Sequence, residues 1–108
     1  MKNAKDILTI PGIHYFGGWD NLQKFLKSRG NPPYRIEDEV NLSRTSITSL
    51  GNLISVGGDL ILFKSKIESL GELQSVGGYL DLRRTPMAKK YTEEDIRNMV
   101  DVKGEIRL

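Results

Sequence analysis

The sequence predicts a small α/β solenoid with a short parallel sheet, a helical cap at its N-terminal end and a helix in its last coil. Two observations carry the repeats. Val40 to Asp59 reads VNLSRTSITSLGNLISVGGD and Leu60 to Tyr79 reads LILFKSKIESLGELQSVGGY, so ten of twenty paired positions are identical. A third copy opens at Leu80 as LDLRRTPM, with Leu82 under Leu62 and Leu42, Thr85 under Ser65 and Thr45, and Met87 under Ile67 and Ile47. Self-similarity at about twenty residues marks a chain in which each repeat buries its apolar side only by stacking on its neighbours. The helices rest on a third observation, a switch to helical spacing on either side of the repeats.

Length and composition bound the function. At 108 residues the chain is a single domain, divided into an arm and cap over residues 1–35 and the repeats over 36–108, with no room for a separate catalytic domain. Sixteen basic and fourteen acidic residues leave a net charge of +2, so any electrostatic function is local rather than a property of the whole chain. The absence of cysteine excludes disulfides, thiolate nucleophiles and cysteine-ligated zinc. The N-terminus lacks an apolar run of signal-peptide length and nowhere is a stretch long enough to span a bilayer, which points to a soluble, cytoplasmic protein and no membrane partner.

Ile7 to Ile10 is β-rich and is stopped by Pro11-Gly12; it reads as a short strand or as a docked arm. His14, Tyr15 and Phe16 follow as an aromatic cluster before Gly17-Gly18. His14 is the only histidine and has no Asp, Glu or Cys constellation spaced around it, so packing against the cap is the expectation rather than metal or acid–base work. From Asp20 to Arg29 the pattern is helical, with Trp19, Leu22, Phe25 and Leu26 on one face. Asp20 is the expected N-cap and Gly30 the C′ residue before Asn31-Pro32-Pro33. Such a helix covers the end of the first repeat, whose core has no earlier neighbour.

The repeat register begins at Ile36, twenty residues before Val56. Each repeat runs from a short strand (Val40 to Leu42, Leu60 to Leu62, Leu80 to Leu82) through a hydroxyl-bearing turn. Glycines follow at the corners, and extended or 3₁₀ backbone is expected on the return. Val102 to Leu108 matches Val76 to Leu82 at an offset of twenty-six, and the extra length holds Thr92 to Val100, whose Thr and following acids signal a helix start. A fourth strand, Ile106 to Leu108, ends the ladder and offers an edge through which a homodimer can form.

At these residues the chain resembles leucine-rich-repeat proteins, in particular short bacterial and phage-type variants with a Leu-x-Leu strand and a Ser-Leu-Gly-x-Leu-x-x-Val-Gly-Gly return. It is similar also to the coils of receptor L-domains. The resemblance covers residues 36–108 and implies the architecture together with protein–protein recognition, as an inhibitor or adaptor, without fixed chemistry.

Strand alternation turns the residues between core leucines outward and stacks them in columns about 4.8 Å apart. The columns are Glu39, Asp59, Tyr79, Glu105; Asn41, Ile61, Asp81, Arg107; Ser43, Phe63, Arg83; and Arg44, Lys64, Arg84. Ile61, Phe63 and Tyr79 form an apolar centre, with Asp81 and Arg83 beside it and Arg44, Lys64 and Arg84 as a basic ladder. An aromatic centre with a charged rim has the composition of a protein-binding hot spot; the alternative is that Phe63 folds over the sheet edge and Tyr79 is ordinary strand surface. The ladder, extended by Lys66, Arg83, Lys89 and Lys90, offers a second reading as a track for nucleic-acid phosphates, against which Asp81, Glu68 and Glu72 are interleaved. The glycine pairs lack the Lys-Ser/Thr of a phosphate-binding loop, and Glu37-Asp38-Glu39 lacks metal-ligand spacing. No catalytic, metal or cofactor site is therefore expected, and the chain reads as a non-enzymatic binder of a protein partner.

Overall fold

The apolar alternation of the repeats is expressed as short strands. In the computed structural model, which describes residues 7–108, they form two all-parallel sheets in a mixed α/β protein. The first sheet has the order β1 (Leu8–Ile10), β2 (Tyr34–Ile36), β4 (Leu53–Val56), β6 (Ser75–Val76), β8 (Asp101–Val102). The second has the order β3 (Val40–Asn41), β5 (Leu60–Ile61), β7 (Leu80–Asp81), β9 (Ile106–Arg107). Each repeat crosses from the first sheet to the second, and the pairing follows the sequence register: Val56 sits between Ile36 and Val76, and Val76 pairs Val102. On the other sheet Val40, Leu60, Leu80 and Ile106 align. These residues, with Leu42, Leu62, Leu82, Leu53 and Leu73, are buried in one continuous core.

The corners between the sheets explain the glycines. A Cβ at Gly77 would run into the backbone carbonyl of Gly57 in the preceding repeat, where the two backbones nest. The requirement is close approach, not an unusual backbone angle. The first corner, Glu37 to Glu39, carries side chains and lies on β1 and Pro11, with Glu37 N donating to Ile10 O and Asp38 N to Pro11 O, before the chain enters a 3₁₀ turn (Ile13–Phe16). Gly71 differs, since its φ of +61° is left-handed and its Cβ would also meet the backbone of Gly51.

Ile7 to Ile10 is thus a strand from Leu8, continuing the first sheet; residues 1–6 lie outside those described. Helix α1 (Trp19–Ser28) buries Leu22 and Leu26 in the common core, with Trp19 and Phe25 half-buried beside them. Its N-cap is Gly18, not the expected Asp20: Leu22 N donates to Gly18 O at 3.1 Å, and Asp20 instead lies in the first turn, where its charge favours the helix dipole. The C-terminus closes as expected at Gly30, with Gly30 N donating to Lys27 O and Asn31 N to Leu26 O, the Schellman pattern. Of the aromatic cluster only Phe16 packs on the helix, 4.8 Å from Phe25 between ring centres; His14 and Tyr15 are exposed. Tyr34 is buried against α1 and its hydroxyl accepts from Gln23 Nε2 at 3.1 Å; burial pushes its phenol pKa up to about 12, the Gln23 bond opposing this.

The last repeat contains two helices where the sequence signals one. Thr85 caps α2 (Pro86–Lys90), its Oγ1 accepting from Ala88 N while donating to Leu82 O, with Pro86 at the first helical position. Five residues are too few for a helical period to register, so only the cap residues announce it. Helix α3 (Glu93–Met99) begins at the expected Thr92, and a capping box with Asp95 satisfies both N–H groups. Arg97 then binds the last corner, donating to Val102 O at 2.9 Å and Gly104 O at 3.0 Å while paired with Glu93. Among the described residues no helix is long and apolar enough to cross a membrane.

Candidate functional site

The exposed face of the β3, β5, β7, β9 sheet brings the predicted residues together, in an arrangement that alternation alone does not define. Asn41, Ile61, Asp81 and Arg107 stand in register across the four strands. Phe63, Ile61 and Tyr79 are half-buried rather than open to solvent. The Phe63 ring is ringed by cations, with Arg44 at 5.3 Å, Arg83 at 5.1 Å and Lys64 at 5.5 Å from its centre. Tyr79 carries Arg107 at 4.1 Å over its ring. Each such contact contributes on the order of 0.5–1 kcal/mol at an exposed site. The apolar centre is therefore roofed by the protein's own guanidinium and ammonium groups.

Asp81 departs most from its expected place. Alternation assigns it to the solvent face, yet it is only 2% exposed, because Arg83 folds back over it. The guanidinium makes a two-point contact, Nε to Oδ1 at 3.0 Å and Nη2 to Oδ2 at 2.7 Å. Arg83 N also donates to Oδ1, closing a local turn of the kind that Asn41 forms with Ser43 in the first repeat. Burial raises the carboxyl pKa, but the Arg83 hydrogen bonds and the charges of Arg83 and Arg107 outweigh it, leaving Asp81 below its ordinary value. Arg83 is in turn raised, chiefly by its bond to Asp81. Arg107 is tied to Glu105 at 2.9 Å and raised mainly by that bond. The acid once counted against the basic ladder is thus covered by Arg83 on the outer side of the sheet.

The ladder itself has an unanticipated backbone. Arg44, Lys64 and Arg84 have φ values of 58°, 60° and 60°, left-handed at every copy. A non-glycine residue there costs on the order of 1 kcal/mol. The ladder N–H groups hold the geometry, Arg44 N donating to Phe63 O at 2.8 Å and Lys64 N to Arg83 O at 3.0 Å. Glycine is the residue that sequence reasoning associates with such a conformation, so three cations at the position hid it. Among the described residues Arg83, Arg97, Lys103 and Arg107 are in ion pairs, and Arg44, Lys64, Lys66, Arg84 and Lys89 belong to the ten basic residues that are not. Lys64, Lys66, Arg84 and Lys89 converge on one open concavity of about 500 Å³ beside the start of α2. Lys90 lies apart, over the Tyr91 ring at 5.7 Å.

A larger concavity of about 700 Å³ lies where α1 meets the first repeat, between Trp19, Asp20 and Ile47; it has one acid and no cluster of titratable groups. Among the described residues no group of His, Asp and Glu is arranged to hold a metal ion. No protein-family model, curated protein or solved structure matches this chain.

Proposed function

We propose that the chain is a leucine-rich-repeat-like solenoid, and that it acts without catalysis by binding a protein partner through the β3, β5, β7, β9 face. The one-repeat steps in strand register support the solenoid reading. The observation that carries the binding reading is the row of unpaired cations, each in a conformation glycine would occupy more cheaply. A side chain retained three times against backbone cost has a task beyond the fold. The other end of the same strands bears Glu39, Asp59 and Glu105. Such a bipolar strip matches a partner with complementary patches and opposes a uniformly anionic one.

The runner-up is a nucleic-acid accessory protein, favoured by the same unpaired cations. Capture of host proteins on the immobilised chain, with and without nuclease, separates the two. A nuclease-resistant partner that is lost with the triple variant Arg44→Gln, Lys64→Gln, Arg84→Gln is the expected result. Loss of every partner on nuclease treatment would overturn it in favour of nucleic acid.

A further inference from the structure

We propose that the concavity between the second and third repeats binds a phosphoryl group carried by the partner protein. This rests on the reading of the chain as a protein-recognition module and names the chemistry of the contact. Lys64, Lys66, Arg84 and Lys89 line the concavity, with Ser65 and Thr85 between them, and no carboxylate contributes to its wall. Four like charges lining one space repel each other, and no carboxylate within it offsets them. Here the relief is left to a ligand.

The cations are held at defined places. Lys64 and Arg84 occupy the left-handed position of consecutive repeats, and each is followed by a buried residue, Ser65 or Thr85. Thr85 Oγ1 is fixed between Leu82 O and Ala88 N, and Ser65 Oγ accepts from Ile67 N. The two side chains therefore start from a rigid base, and Lys89 projects from α2, which the same Thr85 caps. A planar guanidinium flanked by ammonium groups is the donor set suited to a dianionic phosphomonoester.

Compactness decides between a phosphoryl group and a nucleic-acid backbone. A phosphodiester chain needs a line of contacts, and Arg44 would extend the row in the first repeat. Yet the equivalents of Lys66 are Ser46 and Pro86, and the helix that supplies Lys89 occurs only in the third repeat. Positive charge is thus gathered at one point between two repeats instead of being spread along all of them.

The test is a heteronuclear NMR titration of the isotopically labelled full chain. The probes are a phosphoserine peptide of otherwise neutral sequence, its unphosphorylated form, inorganic phosphate and a short single-stranded oligonucleotide. Saturable shifts at Lys64 to Lys66 and Arg84 to Lys89 are expected with the phosphopeptide, weaker ones at the same residues with inorganic phosphate, and none with the unphosphorylated peptide. The double variant Arg84→Gln, Lys89→Gln should bind the phosphopeptide about tenfold or more weakly with its spectrum elsewhere unchanged. If that variant misfolds, Lys66→Gln, Lys89→Gln serves in its place. Equal affinity of variant and parent overturns the proposal, as do non-saturating shifts spread over Lys24, Lys27 and Lys103. Tighter binding of the oligonucleotide, with shifts running through Arg44, overturns it in favour of nucleic acid. Because these titrations need no partner, they stand apart from the capture experiment: a nuclease-resistant partner retained after phosphatase treatment would refute the phosphoryl contact and leave the protein-binding function in place.

Discussion

The two ends of the short strands β3, β5, β7 and β9 handle charge in opposite ways. At the strands themselves and their N-terminal end charge is paired: Arg83 reaches back over Asp81 of β7, and Arg107 of β9 holds Glu105. Past the C-terminal end, Arg44, Lys64 and Arg84 stand in strained backbone with no carboxylate, sharing at most the face of Phe63. Electrostatics at the first end is spent inside the molecule and stabilises it. At the second it is left without an internal partner, which is why charge count alone, at +2, says little about how charge is distributed over this chain.

The largest effect expected at the internally satisfied end is at its corner. Gly77→Ala would drive a Cβ into the Gly57 carbonyl, and since that neighbour is backbone it cannot swing away. A loss of about 3 kcal/mol in urea unfolding is expected; a loss no greater than that of Arg84→Gln would show that the corners are not closely nested. Arg83→Ala comes next. It leaves the buried Asp81 carboxylate without its two-point partner, for an expected loss of about 2 kcal/mol. Arg84→Gln, with no carboxylate to strand, should stay within about 0.5 kcal/mol. Equal losses from the two would erase the distinction between the ends.

Acid titration sharpens the same contrast. The Asp81 pKa is lower in the folded chain than in the unfolded one, so its contribution is complete above the ordinary aspartate value of about 3.9 and is lost as pH falls through the folded value. Asp81→Asn keeps an acceptor for Arg83 N, as Asn41 does for Ser43, and should flatten that part of the stability profile between pH 4 and lower values. An unchanged acid limb would mean that other carboxylates govern it. The smallest effect has the opposite sign. Arg84→Gly relieves a left-handed φ and should gain about 0.5 kcal/mol after the entropy cost of glycine, while phosphopeptide affinity falls. Destabilisation by this change would remove the strain argument.

Much of the fold was legible because a repeat of twenty residues dictates its own stacking. Leu60 pairs Val40 and Leu80 for the same reason that the three align on paper. The Thr92 cap and the Gly30 stop were readable because capping chemistry is local. Asp20 was misplaced by two residues since Gly18 offers no side-chain signal at the cap it occupies. Helix α2 was missed because it is shorter than the pattern that would reveal it. The candidate face was legible in membership and illegible in state. Period-two alternation assigns Asp81, Phe63 and Tyr79 to the outer side, but it does not say which long side chain will lie over them.

The sequence by itself therefore determined the period, the core columns, the strand register and the row of cations, all of which follow from local spacing and apolar burial. Tertiary structure alone decided that Asp81 is buried, that Arg44, Arg83 and Lys64 surround Phe63, that the ladder residues are left-handed, and that Lys66 and Lys89 join Lys64 and Arg84 around one concavity. The physical reason is the reach of the side chains. A leucine's position is set by its own strand, whereas the end of an arginine or lysine is set by whatever ring, carboxylate or open space the neighbouring repeat brings within its several flexible bonds.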